Sequence, residues 1–223
     1  MEKVGISIAE ENEWIKTKEY FFAENCVKFP YGEYFEKNIN NKKVIFYRCN
    51  IRKTSSSAAA QYMIDKLELD KIIVIGTCAG IDRKFNQFDI IIPNLAVQTD
   101  CTVRETEPLI KTKFNVNIDL SELNFKHSTG IIATQDKPVV MWEDYMYLKD
   151  NNITICDTEA ASIAYVCMKN NVKILIIKGI SDFPTDETKT SKELSHQEQY
   201  ELYIHNIPIV MEKIFREYLD KVI

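Results

Sequence analysis

The stretch KIIVIGTCAGI, residues 71–81, reads as an apolar, largely β-branched strand that stops in a turn of small residues. A strand with one wet face alternates apolar and polar positions. Ile72, Ile73, Val74 and Ile75 are apolar at every position, so both faces of the strand must be buried, as in a sheet covered by helices on each side. KILIIKGI, residues 173–180, repeats the pattern. Between them, SSSAAAQYMIDKLEL (55–69) places Ala59, Tyr62, Met63 and Leu67 on one face of a helix. EAASIAYVCMKN (159–170) predicts another helix, and 195–219 a long final one with Pro208 as a kink point. Outward from these, residues 3–8 predict a strand and 10–20 a helix with acids in its first turn. Residues 26–49 hold two or three strands, with a hairpin turn in the Asn-rich patch at 38–41. Further strands are expected at 88–92, 95–103, 127–134 and 153–155, a short helix at 143–149, an irregular excursion at 105–126 and a polar loop at 184–192. The succession predicts an α/β fold: one domain across residues 1–223, with a mixed, largely parallel central sheet flanked by helices.

Composition narrows the function. The chain has 223 residues, 45% hydrophobic and 27% charged, with a net charge of −5, enough for a substantial core. No basic footprint exists for nucleic acid or for an anionic membrane, and no run approaches a membrane span. The opening MEKVGISIAEENEW has acids where a signal peptide needs an apolar run. Six cysteines without C-x-x-C spacing read as free thiols in a reducing compartment, so a cytoplasmic protein is expected. Only six glycines are present, and neither G-x-G-x-x-G nor a P-loop occurs, against a nicotinamide dehydrogenase or P-loop enzyme. His127, His196 and His205 are scattered without metal-ligand spacing. A hydrolase with a Ser-His-Asp triad would need a G-x-S-x-G elbow, which is absent.

In open α/β sheets, ligands bind beyond the carboxyl ends of strands. The residues just past the predicted strands are Glu10, Glu11 and Glu13; Gly76 to Gly80; Gln135 and Asp136; Asp157 and Glu159; Ser181 and Asp182. Each has a plain reading. Glu10, Glu11 and Glu13 suit a solvated helix start, Asp157 a helix N-cap, Glu159 a complement to the helix dipole, and Asp182 a turn before Pro184. The coincidence of several acids at strand ends points instead to a carboxylate-rich site with almost no bases.

GTCAGI after a buried strand, then DTEAASIAYV, then IKGISDF resemble, in that order, the nucleoside phosphorylase and nucleosidase superfamily. The closest resemblance is to methylthioadenosine/S-adenosylhomocysteine nucleosidases, whose opening GISIAEENEW also resembles. The resemblance implies a phosphorylase/nucleosidase-like fold, a small-molecule nucleoside substrate, no cofactor or metal, and a homodimer. It implies hydrolysis of the N-glycosidic bond of a purine nucleoside, releasing the base and a ribose sugar. Asp182 would be the general acid to purine N7, helped by Ser181. Glu13 would activate the attacking water, and Glu159 would hold the ribose hydroxyls and the cationic sugar. Thr77, Ile51, Thr158, Asp157, Ser181, Pro138, Val139 and His196 would complete the substrate site.

The chain also departs from the family. Ala79 stands for a glycine of the G-S-A-G-G turn, Thr158 for a Met, Asp157 for a Glu, Glu10 for a Met, and Asn50 and Arg52 for two glycines around Ile51. Pro138 takes the place of a Phe that stacks on adenine, with Trp142 as a nearby substitute, and His196 that of a late Phe. A pocket with Arg52 and His196 would suit a hydroxylated or anionic 5′ group. The alternative reaction is phosphorolysis to ribose 1-phosphate, with Arg52, Lys53 and residues 54–57 binding phosphate. A third reading is a nucleoside-binding relative without activity.

Overall fold

The computed structural model describes residues 2–101, 114–139, 141–184 and 195–223. In chain order these form β1 (Lys3–Ile8), α1 (Glu11–Tyr20), β2 (Val27–Phe29), β3 (Gly32–Ile39), β4 (Lys42–Arg48), α2 (Lys53–Leu67) and β5 (Lys71–Gly80). There follow β6 (Ile90–Ile91), β7 (Leu95–Gln98), β8 (Val116–Asn117), β9 (Ile131–Thr134), α3 (Trp142–Asp150), β10 (Ile155–Asp157), α4 (Ala160–Asn170) and β11 (Lys173–Asp182). The last are α5 (His196–Ile214), a π-helical turn (Phe215–Leu219) and α6 (Asp220–Val222).

All the described strands join one mixed sheet in the order β2-β3-β4-β1-β5-β10-β9-β7-β8, with β11 beside β5 and β6 beside β11. Most central ladders are parallel: β1 pairs with β4 and β5, β5 with β11, and β9 with β10 and β7, while β10 joins the end of β5 antiparallel. Antiparallel ladders close the edges, as in the β3–β4 hairpin, whose turn residues Asn40 and Asn41 both take positive φ. Asn tolerates that conformation well, which is why the Asn-rich patch marks the turn.

The two long apolar strands are buried on both faces. Ile72, Val74 and Cys78 of β5, with Ile176 and Ile180 of β11, pack with α2 and α4. Ile73 and Ile75, with Leu175 and Ile177, face the other way, onto α1 and α5. Three small-scale expectations need correction. β5 does not stop at Ile75: it runs on to Gly80, because its last residues gain a partner in β10. The strand expected at 127–134 is shorter, Ile131–Thr134, and that at 153–155 lies at Ile155–Asp157. The expected excursion at 105–126 and loop at 184–192 fall largely outside the described residues.

The change of partner along β5 positions the site. Up to Val74 the strand pairs with β1; at Ala79 and Gly80 it pairs on that side with β10. Between the two ladders β5 bends at Gly76, whose φ is +145°, a value open to glycine and costly for other residues. β1 and β10 therefore diverge around β5, and the fork between them is open.

Candidate active site

A cavity of about 390 Å³ occupies this fork. One wall comes from the end of β1 and the start of α1, with Ala9, Glu10 and Glu13. The floor comes from Thr77, Cys78 and Ala79 of β5 and from Lys178, Ser181 and Asp182 of β11. The far wall is Cys156, Asp157, Thr158 and Glu159, and the lips are Ile51, Arg52, Lys137, Pro138, Val139, Tyr200 and Tyr203. Of the substrate and catalytic residues expected from the sequence, all but His196 line this one cavity. His196 is the first residue of α5, and its side chain lies outside the described set.

Glu13 reaches the floor from the first turn of α1. Glu10 caps that helix: its carboxylate accepts from the Asn12 and Glu13 backbone amides, while the Glu13 side chain reaches back to the Glu10 N–H at 3.3 Å, a capping box. Glu13 is thus neither exposed nor a simple helix-start acid; it is 2% exposed. Its Oε1 accepts from both the Thr77 N–H and the Thr77 hydroxyl, each at 2.7 Å. A Cβ at Gly76 would lie 2.8 Å from both Glu13 oxygens, so glycine is needed here for space as well as for φ. Burial raises the Glu13 carboxyl above its usual range, against the pull of Lys178 and the Thr77 donors.

Asp157 fulfils its plain reading and adds to it. Its carboxylate accepts the Glu159 and Ala160 N–H groups at 3.3 and 3.0 Å, capping α4. It also takes the Thr134 hydroxyl at 2.6 Å and lies 3.1 Å from the Lys178 ammonium. Glu159 follows at the start of α4, where its Oε1 accepts the Arg52 N–H at 3.0 Å and the Thr158 hydroxyl. Burial, then the Asp157 charge, raise the Glu159 carboxyl to about 7.

Asp182 ends β11, where the pairing with β5 slips between Ile180 and Asp182. Such a bulge re-aims the following side chain. The Ser181 hydroxyl lies 2.6 Å from Asp182 Oδ1 and 3.2 Å from the Cys78 carbonyl oxygen. Burial pushes Asp182 up to about 6, with Ser181 pulling the other way.

Sequence reasoning missed Lys178 and the α5 tyrosines. Lys178 is a single cation inside KILIIKGI; a lysine in a strand buried on both faces requires a buried counter-charge, and that signal was in the sequence. Burial works against its charge, but Asp157, Glu159 and Glu13 outweigh this and hold the ammonium above its ordinary value. The expected near-absence of bases is therefore corrected. Trp142 is corrected too: its ring packs on Tyr145 at 5.3 Å in the cluster beneath α3, and it does not line the cavity. Arg52 and Asn50, at the two positions read as family glycines, both take positive φ, +80° and +59°. For Arg52 this backbone costs about 1–3 kcal/mol, and it aims the N–H at Glu159. The Arg52 guanidinium donates to the Asp136 carbonyl, and Lys53 pairs with Asp100 at 2.5 Å.

A sequence model of the Phosphorylase superfamily matches residues 7–216. The chain is 25% identical to a 5′-methylthioadenosine/S-adenosylhomocysteine nucleosidase of Buchnera aphidicola, over 98% of this chain and 99% of that one. Among solved structures, a futalosine hydrolase mutant of Helicobacter pylori superposes with a TM-score of 0.82 at 18% identity, covering 100% of this chain and 99% of that one. The 5′-methylthioadenosine/S-adenosylhomocysteine nucleosidase of Helicobacter pylori bound to butyl-thio-DADMe-Immucillin-A superposes with a TM-score of 0.79 at 20% identity, covering 97% and 99%.

Proposed function

The chain belongs to the Phosphorylase superfamily, and from that premise we propose that it is an N-glycosyl hydrolase of the methylthioadenosine/S-adenosylhomocysteine nucleosidase type, which cleaves a purine nucleoside to free base and free sugar. The observation that carries the reading is the meeting, in one cavity, of three buried carboxyls with different surroundings: Glu13, Glu159 and Asp182.

Breaking an N-glycosidic bond passes through an oxocarbenium-like state, as glycoside hydrolysis does. The departing purine is a poor anion, so a proton at N7 lowers the barrier, a contribution of ~10²–10⁴-fold for a placed general acid. Asp182, raised to about 6 by burial, keeps a proton where an exposed Asp would have lost it. Ser181 fixes one of its oxygens. Glu159 faces the sugar as an anion, opposing the positive charge that grows there. Its charge is supported by the Arg52 N–H and by the Lys178 ammonium. Glu13, held by Thr77, orients the attacking water and accepts its proton. Cys78, Ala79, Cys156, Pro138 and Val139 give the base a largely apolar bed, and Ile51 and Thr158 border the sugar.

Hydrolysis is preferred over phosphorolysis because the cations expected to bind phosphate are engaged. Lys53 is held by Asp100, and the Arg52 guanidinium by the Asp136 carbonyl. Glu10, Glu13, Asp157 and Glu159 outnumber the cavity cations Arg52, Lys137 and Lys178, which disfavours an incoming anion. We further propose a homodimer: Ile51 and Tyr200, at the cavity mouth, are 48% and 57% exposed and would be covered by a second subunit. Light scattering reporting a monomer would count against it. A cytoplasmic location suits six free thiols. The reading is tested by base release from methylthioadenosine, S-adenosylhomocysteine, adenosine and inosine. Turnover of at least one, lost in Asp182→Asn, is expected; no turnover of any would refute it.

A further inference from the structure

The end of β11 is held from outside the sheet as well as from within it. The register slip between Ile180 and Asp182 leaves Ser181 outside the pairing with β5, and two side-chain amides take its backbone carbonyl. Asn206 of α5 donates to the Ser181 carbonyl oxygen at 2.7 Å, and Gln87, in the loop before β6, donates to the same oxygen at 2.8 Å. Asn206 is 3% exposed, on a helix that sits close to the strand: a Cβ at Gly179 would lie 2.4 Å from Val210. Val210 is one helical turn beyond Asn206, and Gly179 stands on the same face of β11 as Ser181, so one close approach of α5 sets both contacts. The same helix fastens the loop that carries Gln87. Lys213 donates to the Phe88 carbonyl at 2.9 Å, and the Phe88 N–H donates to the Ile180 carbonyl at 2.8 Å.

We propose that Asn206, with Gln87 beside it, is a positioning residue for Asp182: the two amides fix the peptide plane between Ser181 and Asp182, and that plane sets where the Asp182 carboxyl points. Ser181 holds the carboxyl itself, with its hydroxyl 2.6 Å from Oδ1. Asn206 and Gln87 hold the backbone from which both side chains spring. Ser181 is fully buried, so without these donors its carbonyl is an orphan that must turn to find a partner. Turning it swings the peptide, and a proton donor displaced by about 1 Å can lose ~10²-fold in rate. The kinetic arm of the test rests on the nucleosidase reading; the spectroscopic arm does not.

Two variants test it. Asn206→Leu keeps the side-chain volume and removes the buried donor, and Gln87→Met does the same at an exposed position where folding is not at stake. With the best substrate, kcat should fall roughly five- to tenfold in the first and two- to threefold in the second, with KM changed less than about twofold. Independently of turnover, carboxyl-carbon NMR of the labelled protein, with the signal assigned through Asp182→Asn, should show the Asp182 midpoint falling from about 6 toward the ordinary range as the carboxyl leaves its buried setting. The Cys78 thiol of β5, which feels the Asp182 charge, is itself held protonated by burial and does not confuse the titration. The Glu13 midpoint, set from α1 and Thr77, should stay where it is. Should Asn206→Leu not fold, Gln87→Met carries both readouts in the same directions. An unmoved Asp182 midpoint, a Glu13 midpoint that moves equally, or a wild-type kcat would overturn the proposal. If the wild type releases no base at all, the nucleosidase reading fails, and the NMR arm still decides the role of Asn206.

Discussion

The ammonium of Lys178 lies 3.1 Å from the carboxylate of Asp157, with the two side chains 2% and 3% exposed. A pair this deep is costly to form and far more costly to break on one side, because the remaining charge is stranded. Asp157 is bound on every side: by Thr134, by the first amides of α4 and by Lys178. It connects β9, β10, β11 and α4 beneath Glu159.

Lys178→Met therefore should destabilise the protein by about 3–5 kcal/mol. Adding Asp157→Asn should recover part of that loss, since the stranded charge goes with it. Chemical denaturation of the two variants measures this. A single variant as stable as wild type would mean that the pair is not structurally coupled.

Asp182→Asn should gain stability while losing activity. The folded-state pKa of about 6 lies above the ordinary 3.8, so the carboxyl favours the folded state while protonated. That advantage is lost as pH rises through about 6, leaving a cost of ~3 kcal/mol near pH 8. The neutral amide avoids it. Thermal unfolding should show the variant several degrees above wild type near pH 8 and level with it near pH 3. An equal or lower melting temperature near pH 8 would contradict the raised pKa.

The pH profile should be narrow. Asp182 must hold its proton, so kcat/KM falls as pH rises through about 6. Glu159 must be ionised, so the rate also falls as pH drops through about 7. The maximum lies between these values, and the active form is a minority species. In Glu159→Gln the acidic limb due to this residue should disappear along with most of kcat. A rate constant from about pH 5 to about pH 9 would exclude this assignment.

Gly76→Ala should damage the site without touching a chemical group. Its Cβ would stand 2.8 Å from both Glu13 oxygens at a φ of +145°. The strain is of order 1–3 kcal/mol, relieved by moving Glu13. Steady-state kinetics should show kcat down more than tenfold with KM little changed; an unimpaired kcat would show that Glu13 need not sit where it does.

Most of the architecture was legible in the chain because it rests on burial. Ile72 to Ile75 and Ile174 to Ile177 are apolar at every position, and they became the two central parallel strands. The acids at strand mouths were legible too: Glu13, Asp157, Glu159 and Asp182 share one cavity, although Asp157 and Glu159 reach it from the end of β10, which runs antiparallel to β5. What stayed hidden depends on long-range pairing. The exchange of β1 for β10 along β5 made Gly76 to Gly80 strand instead of turn, and no local pattern encodes a change of partner. Tyr203 lies far along a helix whose docking angle the sequence does not state. Arg52 and Asn50, read as departures from two glycines, take positive φ, a backbone that glycine adopts more readily. Lys178 could have been found, because an isolated cation in an apolar strand demands a partner.

The most direct test of the central claim is to run the reaction in phosphate-free buffer made with ¹⁸O-water and to weigh the sugar product. Free base with one ¹⁸O at the anomeric carbon of the sugar is predicted, with no such product from Asp182→Asn. Turnover that begins only when phosphate is added, yielding a sugar 1-phosphate without the label, would contradict it.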